Sequence, residues 1–174
     1  MVDFSNTRLL ARYRMWADQS TFDAVAALPS GEATKERPNP FKSIIGTLNH
    51  IYLVDLIWQA HLEGRDHGFK SRELKLYDDL KDLREAQQGI NQWYIDWSDN
   101  QNAQSLEEIV HFRFISGEPG VMTRGEILQH VVNHATYHRG WIADMFFHVP
   151  VRSPTTDLPV YLAKRNFDPT LQNL

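Results

Sequence analysis

The chain has 174 residues, no cysteine and a formal net charge of −4. That excludes disulfides, thiolate nucleophiles and cysteine-ligated zinc, and it leaves no basic run on which general nucleic-acid binding could rest. With 42% hydrophobic and 23% charged residues, the chain reads as one globular domain over residues 1–174 with room for a sizeable core.

No apolar run approaches the roughly 18 residues of a membrane span. The opening MVDFSNTRLLARY lacks the charged-then-apolar order of a signal peptide. The expectation is a cytoplasmic protein with neither membrane nor nucleic acid as partner.

The first predicted helix runs from about Phe4 to Leu28, where Leu9, Leu10, Tyr13, Trp16, Ala17, Phe22, Val25 and Leu28 recur at helical spacing. Pro29, Ser30 and Gly31 end it, and Ala33 to Pro40 reads as a polar loop. A second helix spans about Lys42 to Glu63, with Gly64 as its C-terminal cap. Successive residues of a helix turn by about 100°, so Val54, Ile57 and Trp58 all fall within a quarter turn of His50, which keeps apolar company. His61 shares that face about 16 Å further along the axis, too far to share an ion with His50.

Arg65 to Lys75 is a polar connector, in which His67 is expected to be solvated. A third helix covers about Tyr77 to Ser98, with Lys81, Asp82, Arg84 and Glu85 on a solvated face. Glu107 to Met122 has β-branched and aromatic residues around Gly117, Pro119 and Gly120. It reads as a short hairpin or an extended crossover, with His111 on a strand.

The last main helix runs from Thr123 to Phe147. Thr123 and Glu126 make a T-x-x-E capping box, and Pro150 lies just past its end. After Pro150, TTDLPVYLAKR predicts one short helix and then a polar end. The fold class is therefore all-α: a four-helix bundle with a crossover before the last main helix.

That last helix carries His130, His134 and His138 at four-residue intervals. Around the helix axis from His134, the apolar residues Ile127, Met145, Val131 and Ile142 all lie within a quarter turn on one side. His138 lies inside this stripe and His134 at its edge. His130 falls on the opposite side of His134, outside the stripe and at the rim. Two imidazoles on a buried face need partners, because unpaired buried polar groups cost free energy. A metal ion would satisfy them, and so would mutual or backbone hydrogen bonds. A metal would need a third ligand from another helix.

Two stretches carry a resemblance. Asn133-His134-Ala135-Thr136-Tyr137-His138-Arg139-Gly140 with Thr156-Asp157-Leu158 and Tyr161-Leu162, and Gly46-Thr47-Leu48-Asn49-His50-Ile51 with Asp55 and Trp58, resemble the DinB family over nearly the whole chain. The resemblance implies a four-helix bundle binding a divalent metal through His50, His134 and His138. It also implies a homodimer, and kinship with thiol-dependent transferases and isomerases that use low-molecular-weight thiols. Trp141 stands where the family commonly has Gln, and an indole can donate one hydrogen bond but accept none. Arg139 matches the family's Arg, for which a structural role is expected.

Three neutral imidazoles would leave a divalent ion its full charge and an open position, which favours an anionic fourth ligand such as hydroxide, carboxylate or thiolate. Imidazole donors suit zinc, nickel, iron and copper, so ligand type does not name the metal; zinc or nickel is expected first, with iron or manganese open. The expected function is a metal-dependent enzyme acting on a small molecule, either a hydrolase or a low-molecular-weight-thiol-dependent transferase. The alternative is a dimeric interaction or binding protein whose metal is structural or vestigial.

Other metal and hydrolase patterns are missing. There is no H-E-x-x-H, no pair of E-x-x-H motifs and no G-x-S-x-G. No catalytic base stands out. Asp55, about 140° from His50, is expected at a surface or bundle end; Asn133, Arg139 and Asp144 are expected to face solvent; Tyr137 is close enough to line the site's rim, but a packing role is expected; and Asp157 is expected to cap the last short helix.

Overall fold

The structure is a computed structural model that describes residues 4–168. Six helices and one hairpin follow in chain order: α1 (Phe4–Ala26), α2 (Ile44–Leu62), α3 (Leu80–Asp99), α4 (Ala103–Leu106), β1 (Ile109–Arg113), β2 (Pro119–Thr123), α5 (Arg124–Phe146) and α6 (Leu158–Phe167). The four long helices form a closed ring in which α1 packs on α3 and α5, while α2 packs on the same two. The all-α bundle with a hairpin crossover is therefore the observed architecture. The polar end expected after the last helix lies outside the described residues.

Caps set the helix starts. The extended Ser43 accepts from the Gly46 N–H at 3.1 Å, and Asp79 accepts from Lys81 and Asp82 at 2.8 and 3.1 Å. Those caps start α2 and α3 two or three residues later than apolar periodicity suggests. Thr123 and Glu126 make the expected reciprocal box at the head of α5. Asp157 occupies the N-cap position of α6, but its side chain makes no capping bond. The short α4 carries its own capping box through Asn102 and Ser105, a feature the apolar pattern did not signal.

Between α1 and α2 the chain folds back tightly. The Asn39 side chain accepts from the Phe41 N–H at 2.8 Å, and Lys42 sits in the left-handed region at φ 64°. Gly46 makes this possible, since a Cβ there would lie 2.0 Å from the Phe41 carbonyl oxygen. Glycine thus lets the loop rest directly on the first turn of α2, which brings the Phe41 ring over His50.

In the hairpin, Phe112 pairs with Gly120, and a Cβ on Gly120 would meet the Phe112 ring at 2.4 Å. The ring packs against Trp58 of α2, centroids 4.9 Å apart. The crossover is thereby fastened over the pair α2–α5, which carries the histidines. A core cluster containing Trp16, Trp58, Tyr94 and Tyr161 fills this end of the bundle, and a second, around Phe22, Leu48, Ile142 and Phe146, fills the other.

Candidate metal centre

His134 and His138 sit one turn apart on α5, and His50 faces them from α2. One ring nitrogen of each lies within 4.8 Å of the others, an arrangement that could hold a metal ion. His50 Nε2 is 3.1 Å from His134 Nε2, and the His50–His138 and His134–His138 ring centroids are both 4.5 Å apart. The third partner needed by the α5 pair is thus supplied by the helix that packs against it. His50 and His138 are buried and His134 is half-buried.

The protonation states suit a metal. Burial lowers all three histidines, His134 to about 2 and His138 to about 4, with neighbouring imidazoles lowering both further. They are therefore neutral at physiological pH, the state in which an imidazole can bind a metal. His50 Nδ1 lies 2.8 Å from the Arg72 carbonyl oxygen and can only donate to it, which leaves Nε2 as a lone pair aimed at the other two rings. Two Nε2 atoms in van der Waals reach, a fixed tautomer and no charge of their own fit a divalent cation.

The next residue supports His50. Asn49 is 1% exposed; its amide donates to the Ile45 and Tyr77 carbonyls, and its oxygen accepts from the Leu76 and Tyr77 N–H groups at 2.8 and 2.9 Å. This ties the connector from 63 to 79 onto α2 and so steadies the Arg72 carbonyl. Sequence reasoning missed Asn49 as a support. A polar residue inside the apolar α2 was its one signal.

Aromatic rings border the trio on both flanks. Phe41 stacks on His50 at 4.0 Å and 16°, while Trp141 and Tyr137 approach His138 at 4.9 and 5.0 Å. Tyr137 is 60% exposed, which places it at the rim rather than in the packing role expected of it. On the other flank, His130 packs on Trp58 at 4.9 Å and lies 5.8 Å from His134. It stands beside the trio but outside the converging set. His61 packs against Trp58, Phe112 and His67, well apart from His50. His67 is half-buried in that contact and against Phe69, contrary to the expectation of a solvated residue.

Two further expectations are corrected. Asp55 is fully buried, and its carboxylate accepts from Arg14 and, at 2.9 Å, from Gln87. Arg139 is 4% exposed and donates to Asp18 at 2.9 Å and to Thr136 at 2.8 Å. Asn91 donates to Asp18 and accepts from Gln87, both at 3.1 Å. One polar network thus joins α1, α2, α3 and α5 inside the ring. Asp55 does face away from His50, but α2 is buried on nearly every side, so its far face meets the bundle interior. Asn133 and Asp144 are exposed as expected, and His111 lies exposed on β1.

The arrangement defines a helical bundle able to carry a metal ion on three histidines drawn from two neighbouring helices. The model of the DinB family matches residues 1–168, and the chain belongs to that family. It is 32% identical over 159 residues to protein DinB of Bacillus subtilis strain 168, a match covering 88% of this chain and 91% of that relative. A crystal structure of a DinB-like protein from Bacillus cereus ATCC 10987 shares the fold with a TM-score of 0.59, at 17% identity over 80% of this chain and 90% of that one. No helix among the described residues is long and apolar enough to cross a membrane.

Proposed function

We propose that His50, His134 and His138 bind a divalent ion, zinc or nickel first and iron or manganese next, and that the protein is a metal-dependent enzyme. Its reaction would be hydrolysis or transfer to a low-molecular-weight thiol. The observation that carries this reading is the convergence of three neutral imidazole nitrogens within 4.8 Å. When bound, such an ion supplies a Lewis acid and a position for an exogenous ligand.

The chain's own residues do the rest. The Arg72 carbonyl fixes the His50 tautomer, and burial keeps His134 and His138 unprotonated. Asp18 and Asp55, the buried carboxylates among the described residues, are each held by an arginine. Neither is free to fill the fourth position, which leaves it to an anionic group from solution. Phe41 and Trp141 shield the imidazoles from bulk water on one flank.

The test is turnover of ester and thiol-acceptor panels by metal-loaded protein, beside His138→Ala. Activity that tracks metal content and disappears in the variant supports the reading; metal-independent activity contradicts it. A second reading, a homodimeric interaction protein with a structural metal, is favoured by the exposed apolar residues Ile109, Phe114 and Val121 on the hairpin. A folded dimer with bound metal and no turnover on any panel would favour it.

A further inference from the structure

The three aromatic rings on one flank of the trio form a continuous surface. Trp141 lies 5.8 Å from Phe41 and 5.3 Å from Tyr137, and each of the three touches a metal-site imidazole or a ring that does. A packing role alone would bury them. Instead, Phe41 and Trp141 are half-buried, and Tyr137 is 60% exposed.

Two clefts meet at Pro40 beside this surface. One, of about 310 Å³, reaches His50 and Phe41, and the other, of about 280 Å³, reaches Trp141. Room for a small molecule lies along the Phe41–Trp141 side of the trio, where these clefts open. Phe41 is held there by a tight loop that rests on Gly46, so the surface is formed before any ligand arrives.

We propose that Phe41, Tyr137 and Trp141 are the recognition wall of the three-histidine centre, and that its ligand carries a planar aromatic group next to an anionic metal-ligating atom. This rests on the reading of the trio as a metal centre. The anionic head occupies the open position, and the ring lies against Trp141 and Tyr137, where offset or edge contacts between rings add attraction beyond simple burial. A saturated ring of equal size gains the burial but not those contacts.

The test uses the full chain loaded with cobalt(II) and titrated with benzohydroxamate, cyclohexanecarbohydroxamate and acetohydroxamate. Cobalt absorption reports the metal, and the tryptophan-fluorescence change seen in the wild type but not in Trp141→Leu reports the wall, since four other tryptophans are present. Benzohydroxamate should bind roughly tenfold more tightly than acetohydroxamate and two- to threefold more tightly than the cyclohexyl compound. Trp141→Leu should shrink the first gap to about threefold, and Tyr137→Leu should shrink it partway. Tyr137 is exposed enough that its variant carries the test should Trp141→Leu not fold.

Equal affinity of the three ligands for the wild type, or an unchanged gap in both variants, overturns the wall. Equal affinity of the two cyclic ligands overturns the planar preference. One cobalt per chain with no response to any hydroxamate overturns the open position and the wall with it, whereas no bound cobalt overturns the metal reading beneath both.

Discussion

The bundle buries two polar clusters, and they solve the cost of burial in opposite ways. Arg14 and Arg139 face Asp18 and Asp55, with Gln87 and Asn91 bridging, so the charges cancel inside the protein. The histidine trio makes one fixed hydrogen bond to the Arg72 carbonyl and one contact between His50 Nε2 and His134 Nε2, and it gathers one ring nitrogen of each residue within 4.8 Å. The first cluster pairs its charges internally and joins four helices, although Asp55 Oδ1, Gln87 Oε1 and Arg14 Nη1 make no hydrogen bond. In the second, burial holds the imidazoles neutral, so the cluster carries no charge of its own. A bundle can thus use one buried polar group as a fastener and another as a site; the difference lies in whether the partners are built in.

The sharpest way to break this contrast is to remove one partner of the closed cluster. Asp55→Ala leaves the buried Arg14 only the longer carboxylate contact, to Asp18 at 3.6 Å, and should cost about 3–5 kcal/mol of unfolding free energy in urea. A loss below about 1 kcal/mol would mean that the network is not a fastener.

Gly46→Ala acts on the open cluster through its cover. The added Cβ would meet the Phe41 carbonyl oxygen at 2.0 Å, so the loop must lift. About 1–3 kcal/mol of stability should be lost, and tryptophan fluorescence should report the displaced Phe41–Trp141 contact.

Acid sharpens the comparison because the clusters respond with opposite sign. The lowered folded pKa values of His134 and His138 mean that the unfolded chain binds more protons below about pH 6.5, so their contribution is lost as pH falls. Burial raises the Asp55 carboxyl to about 6 against the pull of Arg14 and Gln87, which works the other way between that value and the ordinary carboxylate range. These two histidines, with His50, His61 and His130 lowered in the same direction, outweigh one carboxylate. Metal-free protein should lose at least about 1.4 kcal/mol per pH unit between pH 6.5 and 5, as read from urea midpoints.

The smallest effect is expected at the open cluster itself. His134→Leu exchanges a buried polar ring for an apolar group and should change metal-free stability by less than about 1 kcal/mol in either direction. A loss as large as that of Asp55→Ala would make the trio a structural cluster like the first.

Much of this was legible in the sequence. The capping box of Thr123 and Glu126, the period of α5 and the seam of His50 with Val54 and Trp58 each follow from one helix at a time. The convergence of His50 with His134 and His138 needed the packing of α2 on α5, which only the family resemblance anticipated. Asp55 and Arg139 misled because angular sorting assumes one wet face and one dry face. Fourteen of the nineteen residues of α2 are buried, so no face of it is simply wet. Phe41 was hidden for another reason. Its place over His50 depends on a close backbone approach at Gly46, five residues away and outside any helical period.

The most direct test of the account is metal content of untagged protein beside His50→Ala, measured by elemental analysis on folded material. His50 is the ligand contributed across the helix pair, so it reports the convergence itself. The account predicts close to one divalent ion per chain in the wild type and a nearly metal-free variant with its fold intact. Equal metal in both, or none in the wild type after loading, would contradict it.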